Sequence, residues 1–283
     1  MPSVNKCIEE WAHWKFISGA SENSVYTQRK YLDCFSKHCR NLDVSSITPE
    51  LCHSFVNKDD GKSSNTKSFA LNAIKSLLSF CLAKGYCIVN VASIVKVNKR
   101  RLSHKQKEKR ARVPVTEDEF NRLMDTAPYF YRQAIAIGWY TGLRISDICG
   151  LEWSEIGGDT EHFGTQLICW TQKRDKRVSL DLMLPILGGG QLTLILSEIK
   201  KVDDVLCFPT EHAVNSYPKH RAKIPTCMRR VFDKAGVKDK SFHCLRHSFV
   251  SRLAMEGESL ENIGTYVGHS NTQTTEGYKH GIQ

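Results

Sequence analysis

No stretch of this 283-residue sequence approaches the ~20 consecutive apolar residues a membrane-crossing helix needs, and its opening, MPSVNKCIEEWAH, lacks the apolar centre of a secretory signal. A cytoplasmic location with no membrane partner is the expectation. The eleven cysteines are scattered and odd in number, with no CxxC pair and no closely spaced Cys/His quartet, which leaves a disulfide framework and a zinc site without support. They are expected to be reduced thiols, mostly buried. Also missing are the clustered acids of two-metal nucleases and a GxSxG elbow. The glycines at 188–190 lack a following Gly-Lys-Ser/Thr and a preceding strand, so they read as a turn rather than a nucleotide loop. With 41% hydrophobic and 25% charged residues, disorder, collagen-like repeats and coiled coil are poor fits.

What the chain does have is positive charge, and the charge is concentrated. Net charge is +10, and the stretch from Lys96 to Arg112 holds nine basic residues (Lys96, Lys99, Arg100, Arg101, Lys105, Lys107, Lys109, Arg110, Arg112) against the single acid Glu108. Such a run cannot bury a face, so it reads as a solvated linker, either a plain tether or a strand lying against phosphates. It separates a helical domain at 1–95 from a second domain at 113–283, with 96–112 between them.

The first domain shows apolar residues at helical spacing, Ile8, Trp11, Trp14 and Phe16, then Leu71, Ile74, Leu77, Leu78 and Cys81. Helices are predicted near 4–18, 22–40, 48–57 and 63–84, with Ser21 and Thr48 as N-caps, Gly85 closing the fourth, and the aromatic stripe in the core. The second domain opens on the capping box Thr116-Glu117-Asp118-Glu119. Strand-like residues at Gln166–Thr171 and Arg177–Leu182 flank the polar turn 172–176, a β-hairpin pattern. Further helices are predicted near 221–235, 245–256, 259–267 and 271–279. The fold class is thus mainly α with a small β-sheet or hairpin, the second domain being α+β.

Four short motifs of the second domain bear chemistry-capable side chains. TGLRISDICGLEW places Arg144 at the start of a short helix after Gly142; QKRDKR puts Lys173 and Lys176 on the hairpin turn; HCLRHSF spaces His243 and Arg246 three apart, on one helix face; GHSNTQTTEGY runs from His269 to Tyr278. Taken singly, each has an ordinary reading: a surface arginine, a solvated lysine, a helix-capping histidine, an amphipathic tyrosine. In type and order together, they resemble the tyrosine recombinases, the phage integrase and Xer-like strand-transfer enzymes, over nearly the whole chain.

The resemblance implies an N-terminal core-binding domain of the SAM-like type and a catalytic domain whose six active positions are Arg144, Lys173, His243, Arg246, His269 and the nucleophile Tyr278, with no metal and no cofactor. It implies site-specific cleavage and rejoining of double-stranded DNA through a 3′-phosphotyrosine, with integration or excision passing through a Holliday junction. Two guanidiniums suit the charge that grows on a phosphate, and a tyrosine of reference pKa about 10 needs a base such as His243 to accept its proton. A lysine on a hairpin tip can protonate the leaving 5′ oxygen; Lys173 fits that turn position better than Lys176. Asp147 is expected to orient Arg144. The implied partners are DNA attachment sites, a homotetramer on two duplexes that is a monomer or dimer when free, and accessory DNA-bending proteins, in a bacterial or host-cell cytoplasm at the nucleoid. The same residues also leave open a type IB topoisomerase-like relaxing enzyme and a non-catalytic DNA-binding regulator. Two departures from the family are noted: there is little chain ahead of the first helices, which predicts an attachment site without arm-type repeats, and only Lys279–Gln283 follow Tyr278, too short for the usual docking segment.

Overall fold

The computed structural model describes residues 1–58, 61–98, 113–157, 166–171, 176–185, 188–199, 207 and 223–268. The chain divides into two compact units, Met1–Gln106 and Lys107–Gln283. Both are mainly helical, and the second adds a three-stranded antiparallel sheet, the mainly α architecture with a small β element that the sequence pattern predicts.

In the first unit α1 spans Val4–Ile17, α2 Glu22–His38, α3 Pro49–Val56 and α4 Ser64–Ala83. Each starts on a hydroxyl. Ser3, Ser21, Thr48 and Ser63 accept the amides of Lys6, Ser24, Leu51 and Thr66, satisfying N–H groups that have no partner within the helix. Trp11, fully buried, donates its indole N–H to Ser76 Oγ at 3.1 Å and so ties α1 to α4. The aromatic stripe, however, is only partly core. Ile8 and Trp11 are buried, whereas Trp14 is 45% and Phe16 63% exposed. Each three-residue step falls about 60° short of a full turn, so a series begun at Ile8 drifts off the buried face by Trp14.

In the second unit α5 covers Glu117–Thr126 and opens on the capping box: Thr116 Oγ1 accepts from the Glu119 amide, and the Glu119 carboxylate accepts from the Thr116 amide at 2.8 Å. Lys240 bonds the same carboxylate and the Pro114 carbonyl, joining this helix start to a segment over a hundred residues away. Burial alone would raise the Glu119 carboxyl; the Lys240 ammonium and the Thr116 amide hold it below its ordinary value. Next come α6 (Tyr129–Thr141), buried almost all round, and the short α7 (Ile145–Cys149). The sheet runs β1 (Ile156–Gly157), β2 (Gln166–Thr171), β3 (Lys176–Asp181), in that order. Leu167, Cys169 and Thr171 point inward, alternating with exposed Gln166 and Trp170, as a sheet with one buried face demands. The β2–β3 register pairs Cys169 with Val178 and Thr171 with Lys176.

The remaining helices are α8 (Gln191–Ser197), α9 (Lys223–Lys234), α10 (Phe242–Met255) and α11 (Leu260–Tyr266). The helix predicted at 245–256 begins three residues earlier, at Phe242, which brings His243 into it. The one predicted at 271–279 lies outside the described residues. Central to this unit is α10, packed on α6, α9 and α11 and buried through Leu245, Arg246, Phe249, Val250 and Leu253. Eight of the eleven cysteines are buried, Cys34 being the exposed one.

Candidate active site

The first of the four motifs sits where α6 stops. Thr141 Oγ1 donates to the Ile137 carbonyl at 2.6 Å and accepts the Leu143 amide at 3.2 Å, so one hydroxyl shapes the exit from the helix. Gly142 then takes a left-handed conformation at φ 65°, and a Cβ there would stand 2.6 Å from Phe249 Cδ1. No other residue type meets both conditions cheaply. The turn delivers Arg144 to the N-cap of α7, where Nη1 lies 3.7 Å from the buried carboxylate of Asp147. That pair is the orienting contact predicted for Asp147.

Arg246 is 1% exposed on α10, which makes it one of the largest fully buried side chains in the chain. Its two terminal nitrogens reach in different directions: Nη1 donates to the Gly142 carbonyl at 2.8 Å and Nη2 to the Val267 carbonyl at 2.5 Å. Gly142 lies two residues before Arg144, and Val267 two residues before His269. One guanidinium therefore braces the backbones that lead into two other motifs. His243 lies on the same helix, three positions earlier, half-buried.

Next along the chain, Gly268 ends α11 with φ 63°, and a Cβ on it would come 3.2 Å from Thr171 Cγ2 and 3.4 Å from Val178 Cγ2. Thr171 pairs with Lys176 across the two strands, and Lys173 falls between them in sequence. The third motif's helix thus holds the first and fourth segments, and the fourth rests on the base of the second. Gly268→Ala is expected to destabilise the unit by about 1–2 kcal/mol through the left-handed strain and the hairpin contact. A urea midpoint equal to wild type would show that neither matters.

Of the predicted site residues, the structure places Arg144, His243 and Arg246 in this one region. Lys173, His269 and Tyr278 lie outside the described residues, and so do Lys99, Arg100, Arg101, Lys105, Lys107, Lys109, Arg110 and Arg112 of the basic stretch. Lys96 is exposed in the first unit, its carbonyl accepting from Asn57 Nδ2 at 3.0 Å. Sequence reasoning passed over His247, whose ring meets that of His243 edge-on, with centroids 5.2 Å apart. Its signal was the four-residue spacing, which stacks side chains on a helix. Thr141 was passed over as well, and a buried hydroxyl serving backbone leaves no mark in a motif.

Three thiols and three phenols of this unit are held in their neutral forms. Burial pushes the thiols of Cys149, Cys169 and Cys207 up to about 12, so at neutral pH they are neutral and poor nucleophiles. Burial also raises the phenols of Tyr131, Tyr140 and Tyr266. Among the described residues the site holds two arginines on adjoining elements, one beside an acid and the other on carbonyls, with a histidine pair on the helix of the second.

Comparison with known proteins points the same way. Residues 114–282 match the Phage integrase family. The chain is 23% identical over 286 residues to "Tyrosine recombinase XerC" of Thermodesulfovibrio yellowstonii, covering 95% of this chain and 89% of that protein. Against "Tyrosine recombinase XerD" of Halalkalibacterium halodurans it is 22% identical, covering 99% and 94%. Its fold is similar to that of lambda integrase in a tetramer bound to a Holliday junction, with a TM-score of 0.78 at 16% identity over 98% of this chain and 77% of that one.

Proposed function

The chain belongs to the phage integrase family of tyrosine recombinases, and on that premise we propose that it is a site-specific recombinase acting on double-stranded DNA through a 3′-phosphotyrosine. The observation that carries this reading is the Arg246 brace, which draws toward one point the backbones running into Arg144 and His269.

In the proposed step the Tyr278 hydroxyl oxygen attacks a phosphorus of the DNA backbone while the bond from phosphorus to the 5′ oxygen breaks. His243 accepts the tyrosine proton. Lys173 supplies the proton that the leaving 5′ oxygen gains. Arg144 and Arg246 offset the charge developing on the non-bridging oxygens, each guanidinium being permanently charged. His269 hydrogen-bonds the same phosphate. Because one phosphoester replaces another, a 5′-hydroxyl from a second duplex reverses the step and strands are exchanged. Four copies on two duplexes, passing through a Holliday junction, complete the reaction, and accessory DNA-bending proteins serve its assembly. The basic residues from Lys96 to Arg112 follow the DNA backbone as a link between a core-binding domain at 1–95 and a catalytic domain at 113–283.

The test is covalent capture. Full-length protein is mixed with randomly nicked DNA of its own genome, denatured in detergent, and the DNA that stays attached is sequenced while the modified peptide is identified by mass. Discrete sites joined to the Tyr278 peptide are the expected result. Adducts spread evenly over the genome would instead indicate a relaxing enzyme, and no adduct would end the catalytic reading.

A further inference from the structure

We infer that the second unit holds a second, separate ligand site: a carboxylate-binding cavity of about 510 Å3 framed by the start of α5, the end of α6 and the last turns of α10, with Arg252 as its anchor. Arg252 stands six positions after Arg246, about 240° around the helix and roughly 9 Å along it, so it faces away from the catalytic region.

The surroundings of Arg252 are unusual for a cation. Its guanidinium carbon lies 4.1 Å from the centre of the Trp139 ring and 6.0 Å from that of Tyr140, and Nη2 donates to the Trp139 carbonyl. Phe120 stacks on Trp139 at 4.5 Å and meets Tyr140 edge-on at 6.0 Å, which makes an aromatic floor. Arg252 Nε is buried with no hydrogen-bond partner, and among the described residues no carboxylate touches the group, Glu117 acting on it only through space. Burial pulls the guanidinium down to about 10, leaving it charged at neutral pH. Aromatic faces offset part of the cost of holding such a charge out of water, but a partly buried cation beside an open cavity is strongly stabilised by an anion that arrives there.

The class of anion follows from the walls. A guanidinium fork matches a carboxylate, and the partly exposed Tyr140 with the exposed Met255 of the lining can meet an apolar or aryl body attached to it. Glu117, exposed at the cavity's edge, adds negative charge that a dianionic phosphate would feel more strongly than a monoanion. The volume falls within the ~300–1,000 Å3 typical of small-molecule sites. A carboxylate on a small molecule and an aspartate or glutamate side chain next to an apolar residue share this chemistry.

Calorimetric titration of the full chain with 3-phenylpropionate, with 3-phenylpropanamide and with the blocked dipeptide Ac-Phe-Asp-NH2 tests the site. Saturable binding of an acid is expected, weakened about tenfold or more in the amide and in Arg252→Gln, and tightened several-fold in Glu117→Gln. A dipeptide that binds tighter than the small acid identifies a protein as the source; the reverse identifies a free carboxylate. Equal affinity for acid and amide, indifference to Arg252→Gln, or no saturable binding by either acid overturns the inference. Should Arg252→Gln fail to fold, the amide comparison and Glu117→Gln decide, the latter with DNA cleavage unchanged.

Discussion

Arg246→Ala is expected to lower the stability of the second unit by about 3 kcal/mol and DNA cleavage by roughly 10²–10³-fold, with DNA binding little changed. Two effects of different origin combine in those figures. Removing the side chain leaves the carbonyls of Gly142 and Val267 without their donors in a region sealed from water, and it opens a void where a fully buried side chain had been. Separately, on the proposed mechanism it removes a charge from the place where the phosphate's negative charge grows. Arg246→Lys separates the two. A lysine is a single point of charge and cannot reach two carbonyls in different directions, so it should recover part of the stability and little of the cleavage. Denaturant unfolding and a cleavage assay on nicked duplex make the comparison. An alanine variant as stable as wild type would show that the two carbonyl bonds brace nothing, and equal losses of binding and cleavage would remove the clamp role.

Tyr278→Phe is expected to cut formation of the covalent protein–DNA adduct by about 10⁴-fold or more, while DNA binding and the unfolding midpoint stay at wild-type values. The change deletes one hydroxyl and keeps the ring, so a loss of adduct without loss of binding assigns the attacking oxygen. Few groups could take over. The thiols of Cys149, Cys169 and Cys207 are neutral and buried, and the phenols of Tyr131, Tyr140 and Tyr266 are harder to ionise than a free tyrosine. An adduct that persists in Tyr278→Phe at wild-type yield would place the nucleophile elsewhere in the chain.

Much of the fold was legible because local physics and tertiary structure agree. The four helices of the first unit begin at serines and threonines whose hydroxyls cap them, and α5 begins at a two-way capping box; both are written in adjacent residues. The hairpin showed through strand-like residues at Gln166–Thr171 and Arg177–Leu182 on either side of a polar stretch. By contrast, α6 gave no pattern. Its sequence, YFYRQAIAIGWYT, is buried nearly all round and rich in aromatic and β-branched residues, so it has neither a polar face nor a strong helical propensity to announce it. The seven-residue α8 and the two-residue β1 exist through packing and pairing with distant partners, which a local window does not contain. The site divides in the same way. Arg144, His243 and Arg246 stood out as motif residues, but Arg252 did not, because an arginine becomes unusual only when a fold lays it across an indole.

The brace made by Arg246 also bears on how such proteins diverge. Its two receiving groups are main-chain oxygens, present whatever amino acid occupies the position. An aliphatic exchange at Val267 leaves the bond intact, and the constraint at Gly142 comes from Phe249 and the backbone turn rather than from the guanidinium. Through these two bonds position 246 is tied to two distant stretches of backbone whose own side chains can change without loss of the acceptor. Pairwise covariation between aligned columns should be silent at these two bonds, even though one of them joins segments more than a hundred residues apart in sequence.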